Sequence, residues 1–302
     1  MTDQPILVTG ATGDTGRYTT ELLRSRGIAT RALVHREDER SERLRALGAE
    51  VVVGDLLDLD DVRAALEGVR SAYFVYPIRP GLIDASAFFA QASREAGVGA
   101  IVNMSQISAR REAKSNAARN HWISERLFDW SGVPVTHLRP TFFAEWLTYP
   151  LARRAITERG VIGFPFGNGR HAPIAAADQA RLIAAILTDP VPHQGKIYPL
   201  FGPVELDHHA IADTVGRVLG RKVTYAPMTI DDYRKRLEQT PMFPPYFVQH
   251  IASVALDYQN GVFSGTNDII ERVTGQPPMT VETFIAARKE SFAAPAPQAA
   301  NG

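Results

Sequence analysis

Three glycines at positions 10, 13 and 16 have the spacing that phosphate-binding turns use. An apolar run at 6–8 precedes them, and a helical apolar pattern follows from Thr15. Between a strand and a helix, glycines permit a tight turn, and the helix N-terminus offers free N–H groups to a pyrophosphate. We predict a dinucleotide site rather than an ordinary glycine-rich loop, formed by Gly10, Thr12, Gly13, Asp14, Thr15 and Gly16.

The end of the second predicted strand, 28–34, indicates which dinucleotide binds. His35 and Arg36 follow that strand, and Arg36 lies 20 residues after Gly16. NAD-specific sites usually place an acidic residue there, whereas the planar fork of an arginine suits a 2′-phosphate. There are two alternative interpretations: Glu37 and Asp38 turn back to bind the ribose 2′-OH of NAD(H), or Arg36 is simply one charge in the solvated run at 36–43. We expect NADP(H) to be preferred, with NAD(H) as the alternative.

Further cofactor contacts are expected where other predicted strands end. Asp55 and Leu56 follow the strand at 50–53, where Asp55 either bonds the adenine amine or caps the loop. Tyr76 follows the strand at 71–75, at the edge where ligands of doubly wound sheets bind, although packing is its alternative role. After the sixth strand, at 135–138, we assign Pro140 and Phe142 to the cofactor as well.

The predicted helix at 117–130 carries the best candidate for proton transfer. His121 and Glu125 are one turn apart on a face with Phe128, opposite an apolar stripe of Ile123, Leu127 and Trp130. A glutamate so placed orients an imidazole and raises its basicity, unless the two form only a structural ion pair. The candidate catalytic residues are His121, Ser105 after the fifth strand, and Lys114 in a polar loop at 108–116 expected to cover the cofactor.

Aromatic residues cluster in the second half of the chain. Phe142, Phe143, Trp146 and Tyr149 follow the sixth strand closely, and a proline-stiffened segment at 242–247 contains three more aromatic residues. That segment is either a lid over an apolar substrate or plain core. The predicted substrate pocket consists of Phe143, Trp146, Phe243 and Tyr246.

These residues require a fold that gathers strand ends at one edge. Strand and helix patterns alternate five times before residue 116, which predicts an α/β, Rossmann-type, doubly wound parallel sheet. We place this dinucleotide-binding domain at 1–155. A smaller α+β substrate-side domain, with the remaining sheet edge, is expected at 156–292, and a disordered tail at 293–302.

Composition excludes several classes of protein. The 302 residues contain 33 basic and 33 acidic side chains and no cysteine, which argues against a nucleic-acid partner and against disulfides or Cys-ligated zinc. No histidine and acid spacing indicates a metal site. No apolar run is long enough for a membrane span, and residues 1–5 do not resemble a signal peptide. We expect a soluble cytoplasmic protein without a membrane partner.

Several motifs together resemble one known family. They are residues 9–16 with Arg36, 54–56, His121-x-x-x-Glu125, 131–134 and 138–140. Over residues 6–292 the chain resembles the NmrA-like family of atypical short-chain dehydrogenases/reductases. The resemblance implies an NADP-holding cleft between a Rossmann domain and a small C-terminal domain. It also implies relatives that reduce quinones, azo compounds and triphenylmethane dyes, and regulators that bind the cofactor without turnover.

One departure from the wider group bears on the chemistry. Short-chain dehydrogenases typically use Tyr and Lys four residues apart on this helix, and here His121 stands in the Lys place and Ala117 in the Tyr place. Ser105 matches the usual serine. We therefore expect an NADPH-dependent oxidoreductase that passes hydride to an apolar, aromatic acceptor such as a quinone, azo dye or conjugated carbonyl or imine. The alternative is a non-catalytic NADP(H) sensor acting through a protein partner; either is expected as a monomer or homodimer.

Overall fold

A computed structural model describes residues 4–293. The strands are β1 (Ile6–Val8), β2 (Thr30–Val34), β3 (Glu50–Val53), β4 (Ser71–Phe74), β5 (Ile101–Met104), β6 (Val135–Pro140), β7 (Val161–Ile162), β8 (Arg170–His171), β9 (Ile197–Leu200), β10 (Leu206–Asp207) and β11 (Thr224–Tyr225). The central sheet has the order β3-β2-β1-β4-β5-β6-β9, and every strand pair in it is parallel. The predicted Rossmann-type fold is confirmed.

Helices cover both faces of this sheet and build the second half of the chain. They are α1 (Asp14–Ser25), α2 (Glu39–Ala46), α3 (Leu59–Leu66), α4 (Leu82–Glu95), α5 (Asn116–Ser131), α6 (Pro150–Arg159), α7 (Ala176–Thr188), α8 (His208–Leu219), α9 (Ile230–Glu238), α10 (Pro245–Gln259), α11 (Ile269–Thr274) and α12 (Val281–Ala286). Short 3₁₀ helices occur at Ala144–Leu147, Val191–His193 and Lys289–Phe292. No helix among the described residues combines the length and apolarity needed to cross a membrane.

The two-residue period of a strand explains the two core layers beside the sheet. In β1, Ile6 and Val8 pack with Leu23 of α1 and the apolar face of α7. Leu7 points to the opposite layer, which contains Phe74, Phe89 of α4 and Phe128 of α5. Both faces of β1 are therefore buried, as expected for a parallel sheet.

A third core lies in the second half of the chain. It joins α8, α9, α10 and α12 with the short strands β7 and β11. Two elements of this half join the first half: α7 packs on α1, and β9 forms the seventh strand of the main sheet. The domain boundary at 155/156 stays a prediction, and the predicted disordered tail, apart from Ala293, lies outside the described residues.

The apolar stripe of α5 lies on the solvent side of the helix, since Trp130 is 73% exposed and Ile123 37%. The opposite face of α5 is buried instead, since it packs on α4, where Ser124 and Ser86 share a hydrogen bond of 2.7 Å. At the start of α3, the side chain of Asp58 caps the helix by accepting hydrogen bonds from two backbone N–H groups.

Candidate functional site

The turn between β1 and α1 can accommodate a phosphate. Gly10 has a φ of 56°, and a Cβ there would lie 2.6 Å from Cγ1 of Val75. A Cβ at Gly16 would collide with the carbonyl oxygen of Gly10. The N-cap residue Gly13 is exposed, and no side chain caps the helix. The first N–H groups of α1 therefore remain available to an anion, as the predicted dinucleotide requires.

Other residues of this turn make specific contacts. Thr12 is half-buried, whereas Thr15 is buried and its hydroxyl shares a hydrogen bond of 2.9 Å with the hydroxyl of Tyr73. Asp14 is the first residue of α1, and its carboxylate accepts a hydrogen bond of 3.0 Å from the hydroxyl of Tyr149.

The residues after β2 bear on whether the protein prefers NADP(H) or NAD(H). Asp38 caps α2 and binds the guanidinium of Arg40 at 2.6 Å; this hydrogen bond holds the pKa of Asp38 at about 2. Glu37 binds Arg45 at 2.6 Å. Both acidic side chains are thus engaged elsewhere. The side chain of Arg36 is 76% exposed, and within residues 4–293 its nearest carboxylate oxygen, on Asp38, lies 3.9 Å away.

The loop after β3 contains the two other residues assigned to the nucleotide. One carboxylate oxygen of Asp55 accepts a hydrogen bond of 2.9 Å from the backbone N–H of Leu57, so Asp55 caps the loop. Its second oxygen lies 3.8 Å from Nδ1 of His35, which is exposed. Leu56 is half-buried beside them. The contact of Asp55 with adenine stays a prediction.

A cavity of about 560 Å³ opens where β4, β5 and β6 end. None of its lining residues is Asp, Glu, Lys or Arg, and many are aromatic. The structure brings eight predicted site residues together in its wall: Tyr76, Ser105, His121, Pro140, Phe142, Phe143, Trp146 and Phe243. An apolar space at the carboxyl edge of a doubly wound sheet is the usual position of a ligand.

Among the predicted catalytic and substrate-pocket residues, two lie outside this wall. Lys114 is exposed, and its loop is held to α10, because Arg110 binds Asp257 and Gln249 donates a hydrogen bond of 2.9 Å to the Lys114 carbonyl. The hydroxyl of Tyr246 accepts a hydrogen bond of 3.1 Å from Asn120 instead of facing the cavity. The structure therefore does not support Lys114 as a proton donor or Tyr246 as a pocket residue.

Glu125 does not pair with His121, which corrects the predicted interaction. The guanidinium of Arg139 binds the two oxygens of Glu125 at 2.8 and 2.6 Å, and Ser105 donates a third hydrogen bond of 2.6 Å. Burial lowers the pKa of His121 to about 4; nearby His250 adds to this effect and Glu125 opposes it. The expected rise in basicity is wrong, and Nδ1 of His121 has no partner within the described chain.

His250, on α10, is the residue that sequence reasoning missed. It lines the cavity, and burial lowers its pKa to about 4. Its Nδ1 lies 2.8 Å from the hydroxyl oxygen of Ser115, which already accepts a hydrogen bond from the backbone N–H of Ala118. The Ser115 hydroxyl can then donate to Nδ1, so we assign the ring proton to Nε2. No local spacing could signal this pair, because the two residues are 135 positions apart.

Comparison with known proteins agrees with this architecture. The model of the NmrA-like family matches residues 2–285. The chain belongs to the NmrA-like family. This membership confirms the resemblance that the motifs around the glycine turn and α5 indicated.

Three relatives extend over nearly the whole chain. An NAD(P)H azoreductase from Xenophilus azovorans is 29% identical over 96% of this chain and 99% of its own. The structure of triphenylmethane reductase from Citrobacter sp. is 26% identical with a TM-score of 0.81, covering 94% of this chain and 99% of that one. The structure of an NADPH-dependent quinone oxidoreductase from Escherichia coli is 25% identical with a TM-score of 0.80 and the same coverage.

Proposed function

We propose that this protein is an NAD(P)H-dependent reductase that prefers NADPH and reduces an apolar, aromatic acceptor. The uncharged cavity at the carboxyl ends of β4, β5 and β6 carries this proposal, because it offers an aromatic ring a dry site beside the dinucleotide turn. The acceptor classes are a quinone, an azo dye, or a conjugated carbonyl or imine. Relatives named as reductases of azo, quinone and triphenylmethane compounds support this range.

The chain has suitable groups for each part of the cofactor. The uncapped N-terminus of α1 would hold the pyrophosphate, and Arg36 would bind the 2′-phosphate of NADPH. Tyr76, Pro140 and Phe142 line the cavity where the nicotinamide would lie. When bound, the cofactor supplies the hydride.

The polar groups in the cavity wall fit an acceptor that needs little acid assistance. Ser105 gives its single hydroxyl hydrogen to Glu125, so it cannot also donate to a substrate. His250, with its proton on Nε2, can donate a hydrogen bond to an oxygen or nitrogen of the acceptor. His121 lies in the same wall and is also neutral at pH 7. Neutral imidazoles suffice for a quinone, whose reduced anion is stabilised by delocalisation.

The test is consumption of NADPH by the purified full chain. We expect absorbance at the reduced-nicotinamide band to fall with 1,4-naphthoquinone or azobenzene, faster than with heat-inactivated protein, and faster with NADPH than with NADH at equal concentration. Tight NADPH binding with a flat trace for all quinones, azo compounds, enones and imines would contradict the reductase. That result would favour the sensor hypothesis, which does not require an apolar acceptor cavity.

A further inference from the structure

A second cavity of about 250 Å³ adjoins the first one. We call the first the main cavity and this one the side cavity. α6, β7, α9 and the segment 226–228 form its wall. The two cavities share five lining residues: Leu151, Ala152, Phe164, Tyr233 and Leu237. The two cavities are therefore neighbours, and these five side chains form the boundary between them.

The two cavities differ in charge. The main cavity has no Asp, Glu, Lys or Arg in its wall, whereas the side cavity has two charged residues, Arg159 and Arg236. Both arginines are exposed, and within residues 4–293 neither has a carboxylate oxygen within 4.0 Å. Their helix neighbours are paired: Arg154 binds Glu158 at 2.8 Å and Arg234 binds Asp231 at 3.1 Å. Within residues 4–293, neither guanidinium of the side cavity is therefore held in an ion pair.

We propose that the side cavity binds an anionic substituent of an elongated aromatic acceptor. The inference rests on the proposed reductase function and specifies its substrate class: an apolar ring system in the main cavity, carrying a terminal sulfonate, carboxylate or phosphate. Planar guanidinium groups bind such oxyanions with two parallel hydrogen bonds. Arg159 and Arg236 act here as specificity-determining residues and take no part in the hydride step.

The geometry of the helices sets the length of this acceptor. Leu151, in the shared wall, and Arg159 are eight residues apart on α6, which corresponds to about 12 Å along a helix axis. Arg236 is closer, since it is adjacent to Leu237 of the shared wall on α9. A two-ring compound such as an aryl azo sulfonate would place its rings in the main cavity and its sulfonate across this boundary, beside Arg236. A compact quinone stays in the main cavity and contacts neither arginine.

A matched pair of probes tests this site independently of turnover. Azobenzene-4-sulfonate and its neutral analogue azobenzene-4-sulfonamide are titrated by calorimetry into the full chain saturated with NADP⁺, which has no hydride to donate. We expect the sulfonate to bind on the order of tenfold more tightly at low salt, because two partly solvated charge-assisted contacts contribute modestly. This preference should shrink at 0.5 M salt, since exposed charges are screened at about that ionic strength.

The variant Arg159→Gln/Arg236→Gln should bind the two probes equally, with an unchanged Kd for the sulfonamide as the sign that it is folded. The matched control, Arg154→Gln/Arg234→Gln, removes the same charge from the same helices and should keep the preference. Absence of a preference in the natural chain, or its survival in the first variant, would overturn the proposal. Turnover of 1,4-naphthoquinone is measured separately. If the protein turns over the quinone but does not prefer the sulfonate, only the proposed anion site is wrong. If it prefers the sulfonate but shows no turnover, only the proposed reductase function is wrong.

Discussion

The hydroxyl of Tyr149 donates a hydrogen bond of 3.0 Å to the carboxylate of Asp14, across 135 residues of chain. Asp14 begins α1 beside the free N–H groups of the glycine turn, and Tyr149 lines the main cavity. This contact links the predicted cofactor turn to the wall of the acceptor site. It also holds a negative charge close to the place where the pyrophosphate is expected.

Replacing that charge should strengthen cofactor binding. Asp14→Asn keeps an acceptor oxygen for Tyr149 and does not alter the backbone, but it removes the repulsion between the carboxylate and the phosphates. We expect the Kd of NADPH to fall about threefold at low salt and less at high salt, since the interaction is partly screened. Calorimetry measures the change, and Glu21→Gln, further along α1 and paired with Arg17, is the control. Weaker binding by Asp14→Asn would mean that the carboxylate itself contacts the cofactor.

Cofactor preference should depend on Arg36. Arg36→Ala removes the free guanidinium after β2, so the Kd of NADPH should rise roughly tenfold or more while that of NADH stays nearly constant. Arg40→Ala is the matched control, because Arg40 is engaged by Asp38. Equal losses for both cofactors would remove the assignment of Arg36 to the 2′-phosphate.

The two cavity histidines should affect turnover more than cofactor affinity. We expect His250→Phe and His121→Ala each to lower kcat about tenfold with 1,4-naphthoquinone, a modest effect because each supplies a neutral donor rather than a strong acid. The Kd of NADPH, measured by fluorescence, should change less than twofold. Unchanged kcat in either variant would assign that histidine a structural role.

The pH profile and Ser115 provide a separate check on these histidines. Because burial lowers the pKa of both His121 and His250 to about 4, neither should produce an inflection in kcat between pH 5.5 and 8. Ser115→Ala removes the partner of Nδ1 in His250 and should lower kcat partially, with little change in KM. An inflection near pH 6.5 that disappears in His250→Phe would contradict the neutral-donor role.

Glu145 should make the stability of the protein depend on pH. Burial raises its pKa to about 7 from 4.5, against the opposing hydrogen bond from the N–H of Ala176 at the start of α7. The folded state then retains a proton that the unfolded state has lost, so stability falls as pH rises from about 4.5 to 7. At about 1.4 kcal/mol per pKa unit, this amounts to at most about 4 kcal/mol.

The variant Glu145→Gln isolates this effect because it keeps the acceptor oxygen and cannot ionise. Urea unfolding at pH 5 and pH 8 should show the variant gaining stability relative to the natural chain as pH rises. Glu95→Gln, an exposed partner of Arg63, should leave that difference unchanged. If the difference in unfolding free energy between Glu145→Gln and the natural chain did not change with pH, Glu145 would be ionised throughout this range.

The amino-acid sequence alone determined the features that depend on neighbouring residues. The glycine turn follows from the spacing of Gly10, Gly13 and Gly16, since that backbone leaves no room for a Cβ at Gly16. Alternating strand and helix patterns were enough to predict the parallel sheet, because each pattern reflects which side of one element is buried. The aromatic density after β6 likewise predicted the apolar character of the main cavity.

Tertiary structure decided which of these side chains meet. Glu125 stands one turn from His121, yet Arg139 on the adjacent strand binds its carboxylate, and α5 exposes Trp130 while it buries its more polar face. His250 reaches the main cavity, and Arg159 and Arg236 reach the side cavity, through packing of helices far apart in sequence. Such contacts depend on how the helices pack against one another and on the sheet, and local periodicity carries no information about that arrangement.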